Sequence, residues 1–151
     1  MSDPRTTRPN IGKLAAPQAW QTVDLISDLH LQASETATFE AWRDLMANTP
    51  ADAVLILGDL FEVWVGDDAV DHDPFWASCA DVLRQAAQQR YVAFMPGNRD
   101  FLLGQRFLSG CGVQAMSDPC VLEFGIRKIL LSHGDALCLG DPDYQVFRAH
   151  V

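Results

Sequence analysis

The chain has 151 residues, a hydrophobic share of 48% and a formal net charge of -9. That length supports one domain with a sizeable core, and the acidic balance argues against a nucleic-acid backbone or an anionic membrane as an electrostatic partner. No apolar run of signal-peptide or membrane-spanning length, internal repeat or CxxC pair is present, and Cys79, Cys111, Cys120 and Cys138 sit in apolar neighbourhoods. They read as reduced core cysteines in a cytoplasmic protein.

Residues 1–20, rich in Pro, Thr and Asn without periodicity, read as a loosely ordered extension. Thr22–Ser27 is a β-favouring run followed at once by Asp28-Leu29-His30. Ser34 can cap a helix on which Phe39, Trp42 and Leu45 or Met46 recur at helical spacing, stopped by Asn48-Thr49-Pro50. Ala53–Leu57 is near-continuously apolar, as a strand covered on both faces would be, and Gly58-Asp59 follows it. Asp73 and Pro74 mark the cap and first turn of a helix reaching about Arg90. Tyr91–Met95 is the third strand, turned by Pro96-Gly97 into Asn98-Arg99-Asp100, where Asp100 can cap a short helix through Phe107 or Leu108. Cys120–Phe124 and Ile126–Leu131, separated by Gly125, form an antiparallel hairpin that delivers Ser132-His133-Gly134-Asp135. A last helix begins at Asp143 and the sequence stops inside it, as in a truncated domain. The order predicts a layered α/β sheet with antiparallel additions.

Position repeats along this order. Asp28 and His30 follow the first strand, Asp59 the second, Asn98 the third and His133 the hairpin. Parallel strands lie roughly 4.8 Å apart, so groups just past their ends can converge on one or two ions. One residue separates Asp28 from His30, which in extended backbone points both the same way. Carboxylate and amide oxygens with imidazole nitrogen, and no thiolate, suit Mn²⁺, Mg²⁺, Zn²⁺ or Fe²⁺. Two such ions about 3.5–4 Å apart would polarise a phosphoryl group and activate a water, with Asp59 as the shared carboxylate. Singly each residue has another reading: Asp28 and Asp59 as helix caps, His30 and His133 as core-edge histidines, Asn98 as a turn former.

DLH, GDLFEVWVGDD, GNRDFLLG and SHGD with a following YQVFR resemble the calcineurin-like metallophosphoesterases, and within them the UDP-2,3-diacylglucosamine diphosphatases of lipid A biosynthesis. The likeness runs from about Val23 to the last residue. DxH, GD and GN identify only the superfamily; FEVWVGDD, the arginine of GNRDFLLG and HGDALC…DYQVFR are more specific. The resemblance implies a layered sandwich of mixed sheets flanked by helices. Residues 1–20 would be an extension, 21–143 the first part of the phosphoesterase domain, and 144–151 the start of a helical, lipid-binding insertion. Two Mn²⁺, or Mg²⁺ or another divalent ion, would be held by Asp28 and His30 on one side and Asn98 and His133 on the other, with Asp59 between them. Water would attack the α-phosphorus of UDP-2,3-diacylglucosamine to give UMP and 2,3-diacylglucosamine 1-phosphate.

Asp59, Asn98 and Arg99 would be the catalytic set. Arg99 stands where other superfamily members carry histidine. A guanidinium takes phosphoryl oxygens in a fork but gives up a proton poorly, so Arg99 would clamp the diphosphate. Asn98, Arg99, Asp141, Tyr144 and Arg148 would contact substrate. Asp67, Asp68 and Asp135 would orient ligands or bound water, and solvated loop acids are an equal reading of Asp67 and Asp68. Phe61 and Trp64 read as packing rather than as a uracil platform. The family's late Gly-His-x-His segment is not in this sequence, which leaves the fold incomplete at its C-terminus and each ion short of a histidine. The family acts at the cytoplasmic face of the inner membrane, implying peripheral membrane contact but no nucleic-acid or protein partner. Other readings are a different dimetal phosphoesterase, acting on a nucleotide phosphodiester or a phosphomonoester, and an inactive interaction module.

Overall fold

The apolar runs that follow Thr22, Asp52 and Arg90 become neighbouring strands in the computed structural model, which describes residues 10–138 and 140–150, without the side chains of 148 and 149. Strands β2 (Val23–Ile26), β3 (Ala53–Leu57), β4 (Tyr91–Met95) and β5 (Gln114–Ala115) form one parallel sheet in chain order. Helices α1 (Thr36–Asn48), α2 (Pro74–Gln89) and α3 (Gln105–Cys111) connect them. A second sheet has the order β1-β6-β7, in which β1 (Gly12–Ala15) runs parallel to β6 (Cys120–Phe124) and β6 antiparallel to β7 (Arg127–Leu131). Helix α4 (Pro142–His150) follows. The expected layered α/β sandwich is the observed one.

Alternation along β3 explains its unbroken apolar sequence. Val54 and Ile56 face Trp42, Met46, Cys79, Leu83 and Phe107 from the helices, whereas Leu55 joins Ala93, Met95, Cys120, Leu122 and Leu131 between the sheets. A strand buried on both faces has no polar position to alternate with. Burial also pushes the Cys79 thiol up to about 12 and Cys111 up to about 11, so both are inert packing groups. Cys138 departs from the expected pattern and is exposed.

Two local expectations change. The extension read over residues 1–20 is a strand over Gly12–Ala15, since β6 offers it a parallel edge in the register Gly12↔Cys120. Residues 1–9 of that extension lie outside the described residues. Ser34 does not cap α1; Glu35 takes the cap position, with no side-chain bond. Asp73 does cap α2 as read, accepting the Phe75 N–H at 2.8 Å with Pro74 in the first turn. Phe61 and Trp64 pack as expected, buried with ring centroids 4.9 Å apart and Trp76 and Phe107 against them.

In register, Ile26 lies beside Ile56 and Leu57 beside Met95, so β2, β3 and β4 finish side by side. The residues after each strand therefore open onto one edge. Ser132 and His133, after β7, reach the same edge from the second sheet, where the His133 imidazole meets the Leu57 carbonyl at 2.8 Å.

Candidate metal centre

Beyond the strand ends the first two loops keep bonding like a parallel pair. Asp28 N–H donates to Gly58 O, His30 N–H to Asp59 O and Leu31 N–H to Leu60 O, and Glu62 N–H donates back to Leu31 O, at 2.8–3.1 Å. Holding that ladder while turning the side chains to one point requires left-handed backbone at Asp28 (φ 56°), His30 (φ 48°) and Asp59 (φ 52°). Such conformations are uncommon outside glycine and cost energy that the surrounding structure must supply. Asp28 and His30 thus converge through two left-handed residues, and not through the extended backbone expected from their spacing.

The supporting element is Asp100. Its carboxylate is fully buried and accepts N–H bonds from Gly97 and Asp59 on one oxygen and from Leu60 and Phe61 on the other, at 2.8–3.2 Å. Asp100 therefore ties the loop after β4 to the loop after β3 and caps no helix; Gly104 occupies the cap position of α3. The two loops pass so closely that a Cβ on Gly97 would meet Asp59 Oδ1 at 2.2 Å, and one on Gly58 would meet His133 Nδ1 at 2.6 Å. Only glycine fits either place.

Within this frame Asp59 is 3% exposed. Its Oδ1 accepts the Arg99 N–H at 2.9 Å, leaving Oδ2 3.8 Å from His30 Nε2 and 3.6 Å from His133 Nε2. Asp28 Oδ1 stands 4.0 Å from His30 Nε2, and Asn98 Oδ1 3.0 Å from His133 Nε2. A ligand atom each from Asp28, Asp59 and His133 lies within 4.8 Å of the others. All five residues expected to meet do so.

Partners on the far side of each ring fix the tautomers. His133 Nδ1 meets a carbonyl and His30 Nδ1 meets Glu62 Oε2 at 2.8 Å, and both oxygens can only accept. Each Nδ1 therefore carries the hydrogen and each neutral ring presents an Nε2 lone pair to Asp59. Burial lowers the His133 pKa, but the Leu57 bond and the carboxylates of Asp59, Asp28 and Asp135 outweigh it, so the net shift is upward. Lone pairs of three oxygen-bearing side chains and two imidazoles facing one another call for a cation, and the donor chemistry fits a divalent metal.

The other expected residues divide. Arg99 extends to the rim, with Nη1 3.3 Å from Glu62 Oε1. Asp67 turns from the centre and accepts from Trp64 Nε1, Gly104 N and Phe107 N at 2.8–3.1 Å, pinning the start of α3. Asp68 lies beside it in the 3-10 helix Asp67–Asp71. Asp135 accepts the Tyr144 hydroxyl, and both line a cavity of about 400 Å³ with Asn98, Phe101 and Phe147. Asp141 Oδ1 accepts the Tyr144 N–H at the start of α4. Arg148 is on that helix, its side chain outside the described residues.

A curated UDP-2,3-diacylglucosamine hydrolase of Chromobacterium violaceum is 46% identical over 134 residues, covering 84% of the chain and 54% of the relative. That of Pseudomonas entomophila is 43% identical over 130 residues, covering 84% and 53%. The chain is a homologue of the UDP-2,3-diacylglucosamine hydrolases. It spans about half the length of the curated relatives it matches. No family model matches the chain. A solved protein of unknown function from Aquifex aeolicus shares the fold, with a TM-score of 0.50 and 17% identity over 85% of this chain and 70% of that one.

Sequence reasoning overlooked two residues of this homologue's site. Glu62 was visible as a lone acid inside the apolar run Phe61–Val65, and Asp100 as an aspartate one step past Arg99. Neither signal says what the carboxylate touches, because the partners of Asp100 on the loop after β3 lie 39–41 residues away.

Proposed function

We propose that the protein hydrolyses the pyrophosphate bond of UDP-2,3-diacylglucosamine, releasing UMP and 2,3-diacylglucosamine 1-phosphate. The observation that carries the reading is Asp59 Oδ2, facing both imidazole Nε2 atoms while its other oxygen is held by Arg99 N–H. Asp28 and His30 would hold one Mn²⁺ and Asn98 and His133 the other, with Asp59 shared. When bound, such a pair supplies Lewis-acid polarisation of the phosphoryl oxygens and a water acidic enough to attack at neutral pH.

The chain's own groups do the rest. Leu57 O and Glu62 keep both imidazoles in the tautomer that presents Nε2. The Arg99 guanidinium is half-exposed at the rim, where it can take non-bridging oxygens in a fork while the departing phosphate leaves as a stable anion. Water attacks the α-phosphorus, its oxygen joins UMP, and the bond to the bridging oxygen breaks toward the sugar phosphate. The Phe101 and Phe147 rings, edge to face at 5.8 Å beside Tyr144, offer apolar surface next to the phosphate site. Among the described residues no helix is long and apolar enough to cross a membrane, and we place the protein peripherally at the cytoplasmic face of the inner membrane, where a lipid-linked substrate lies.

The test is UMP release from UDP-2,3-diacylglucosamine by the chain and by a version extended to the length of the curated relatives, with a panel of nucleotide phosphodiesters and phosphomonoesters alongside. Release confined to the diacylated sugar nucleotide is expected; equal turnover of the panel would make it a general phosphoesterase. Arg99→Ala should lower turnover far more than bound Mn²⁺, and equal loss of both would assign Arg99 to structure.

A further inference from the structure

We propose that Glu62 is a positioning residue that couples the metal centre to the phosphate clamp, a role that rests on the reading above. Its two carboxylate oxygens are divided between the two functions. Oε2 accepts His30 Nδ1–H at 2.8 Å, and Oε1 lies 3.3 Å from Arg99 Nη1. The first contact fixes which nitrogen of His30 faces Asp59 and Asp28. The second holds the guanidinium to the same carboxylate, while Asp59 Oδ1 holds the main-chain N–H of the same arginine. A displacement of Glu62 therefore moves a metal ligand and the clamp together.

Three observations give this arrangement its purpose. The backbone of Glu62 is fixed beside the DLH loop, because its N–H donates to Leu31 O at 3.1 Å next to the Leu31↔Phe61 bridge. The side chains involved are a third to a half exposed, at 34% for Glu62, 36% for His30 and 53% for Arg99. Ion pairs this exposed contribute little to stability, so holding the fold together does not explain the contact. Finally, a guanidinium has five N–H donors, and one contact to Glu62 leaves the remaining edge open to phosphoryl oxygens. Glu62 thus parks Arg99 over the centre without occupying it.

Glutamine and alanine separate the two halves. In Glu62→Gln the amide oxygen still accepts from His30, while the amide nitrogen turns a donor toward Arg99. In Glu62→Ala both contacts are lost. Nitrogen-15 imidazole spectra of the metal-free chain at mildly alkaline pH report the His30 tautomer directly. We expect Nδ1–H in the wild type and Glu62→Gln, and a large Nε2–H fraction in Glu62→Ala. Calorimetric titration should show Mn²⁺ binding about 10–100-fold weaker in Glu62→Ala. In the presence of Mn²⁺, inorganic pyrophosphate should bind several-fold more weakly to Glu62→Gln than to the wild type, and Arg99→Ala should remove that difference. An unchanged His30 tautomer in Glu62→Ala, or wild-type pyrophosphate affinity in Glu62→Gln, would overturn the proposal. If Glu62→Ala does not fold, Glu62→Gln alone decides through pyrophosphate. Failure of the wild type to bind Mn²⁺ would overturn the reading of the centre, and the tautomer comparison would still judge Glu62 by itself.

Discussion

Asp100 shows how one side chain can hold a site it does not enter. Burial pushes its carboxyl pKa up, and N–H bonds from Gly97, Phe61 and Asp59 offset only part of that, so the net shift is upward. Asparagine at this position retains one acceptor oxygen and turns an amide donor toward the other pair of N–H groups. Asp100→Asn should therefore cost about 3 kcal/mol in denaturant unfolding and weaken Mn²⁺ binding as the GD loop loosens. Read locally, Asn98-Arg99-Asp100 before an apolar run is a helix cap, and nothing nearby says otherwise. Asp28, His30, Asp59, Asn98 and His133 were legible because each is a possible metal ligand placed just past the end of a strand. Their left-handed backbone was not, since φ follows from the paired loops and not from the dipeptide.

At the scale of elements, legibility tracked how local the cause was. Strands β3 and β4 and helix α2 follow from apolar runs bounded by Asp73-Pro74 and Pro96-Gly97, chemistry complete within a few residues. Strand β1 has the weak strand sequence Gly-Lys-Leu-Ala and exists because β6, more than a hundred residues later, offers an edge. Helix α3 is a further case. Its first turn is pinned by Asp67, which comes from a different loop and bonds Gly104 N and Phe107 N. Asp67→Ala should cost about 1–2 kcal/mol, as loss of a good helix cap does, and speed amide exchange in α3. Mn²⁺ affinity should stay within about twofold of wild type, because Asp67 touches no group of the centre; a large loss would return it to the role its sequence position suggested.

For the whole molecule, metal and proton compete for the same fold. Mn²⁺ at a hundred times its dissociation constant should add about 2.7 kcal/mol of stability, and Asp59→Ala should abolish the gain. Without metal, the raised His133 pKa gives the opposite dependence: protonation favours the fold, a contribution present below the ordinary histidine pKa and lost as pH rises through the raised one. Metal needs Nε2 unprotonated. The Mn²⁺-induced rise in Tm should therefore grow with pH across that window, and a rise independent of pH would remove His133 from the ligand set. The acidic balance of -9 favours the approach of a cation over that of an anion.

The left-handed backbone at Asp28, His30 and Asp59 has a consequence for how the protein can change over generations. These residues are held where glycine or asparagine would rest more easily, and the Asp28 and Asp59 carboxylates come within 4.8 Å of one another besides. Selection for heat tolerance alone would favour replacing them, trading function for robustness one residue at a time. The centre persists only while its function is itself under selection, and a lineage released from that demand would lose these residues before its core.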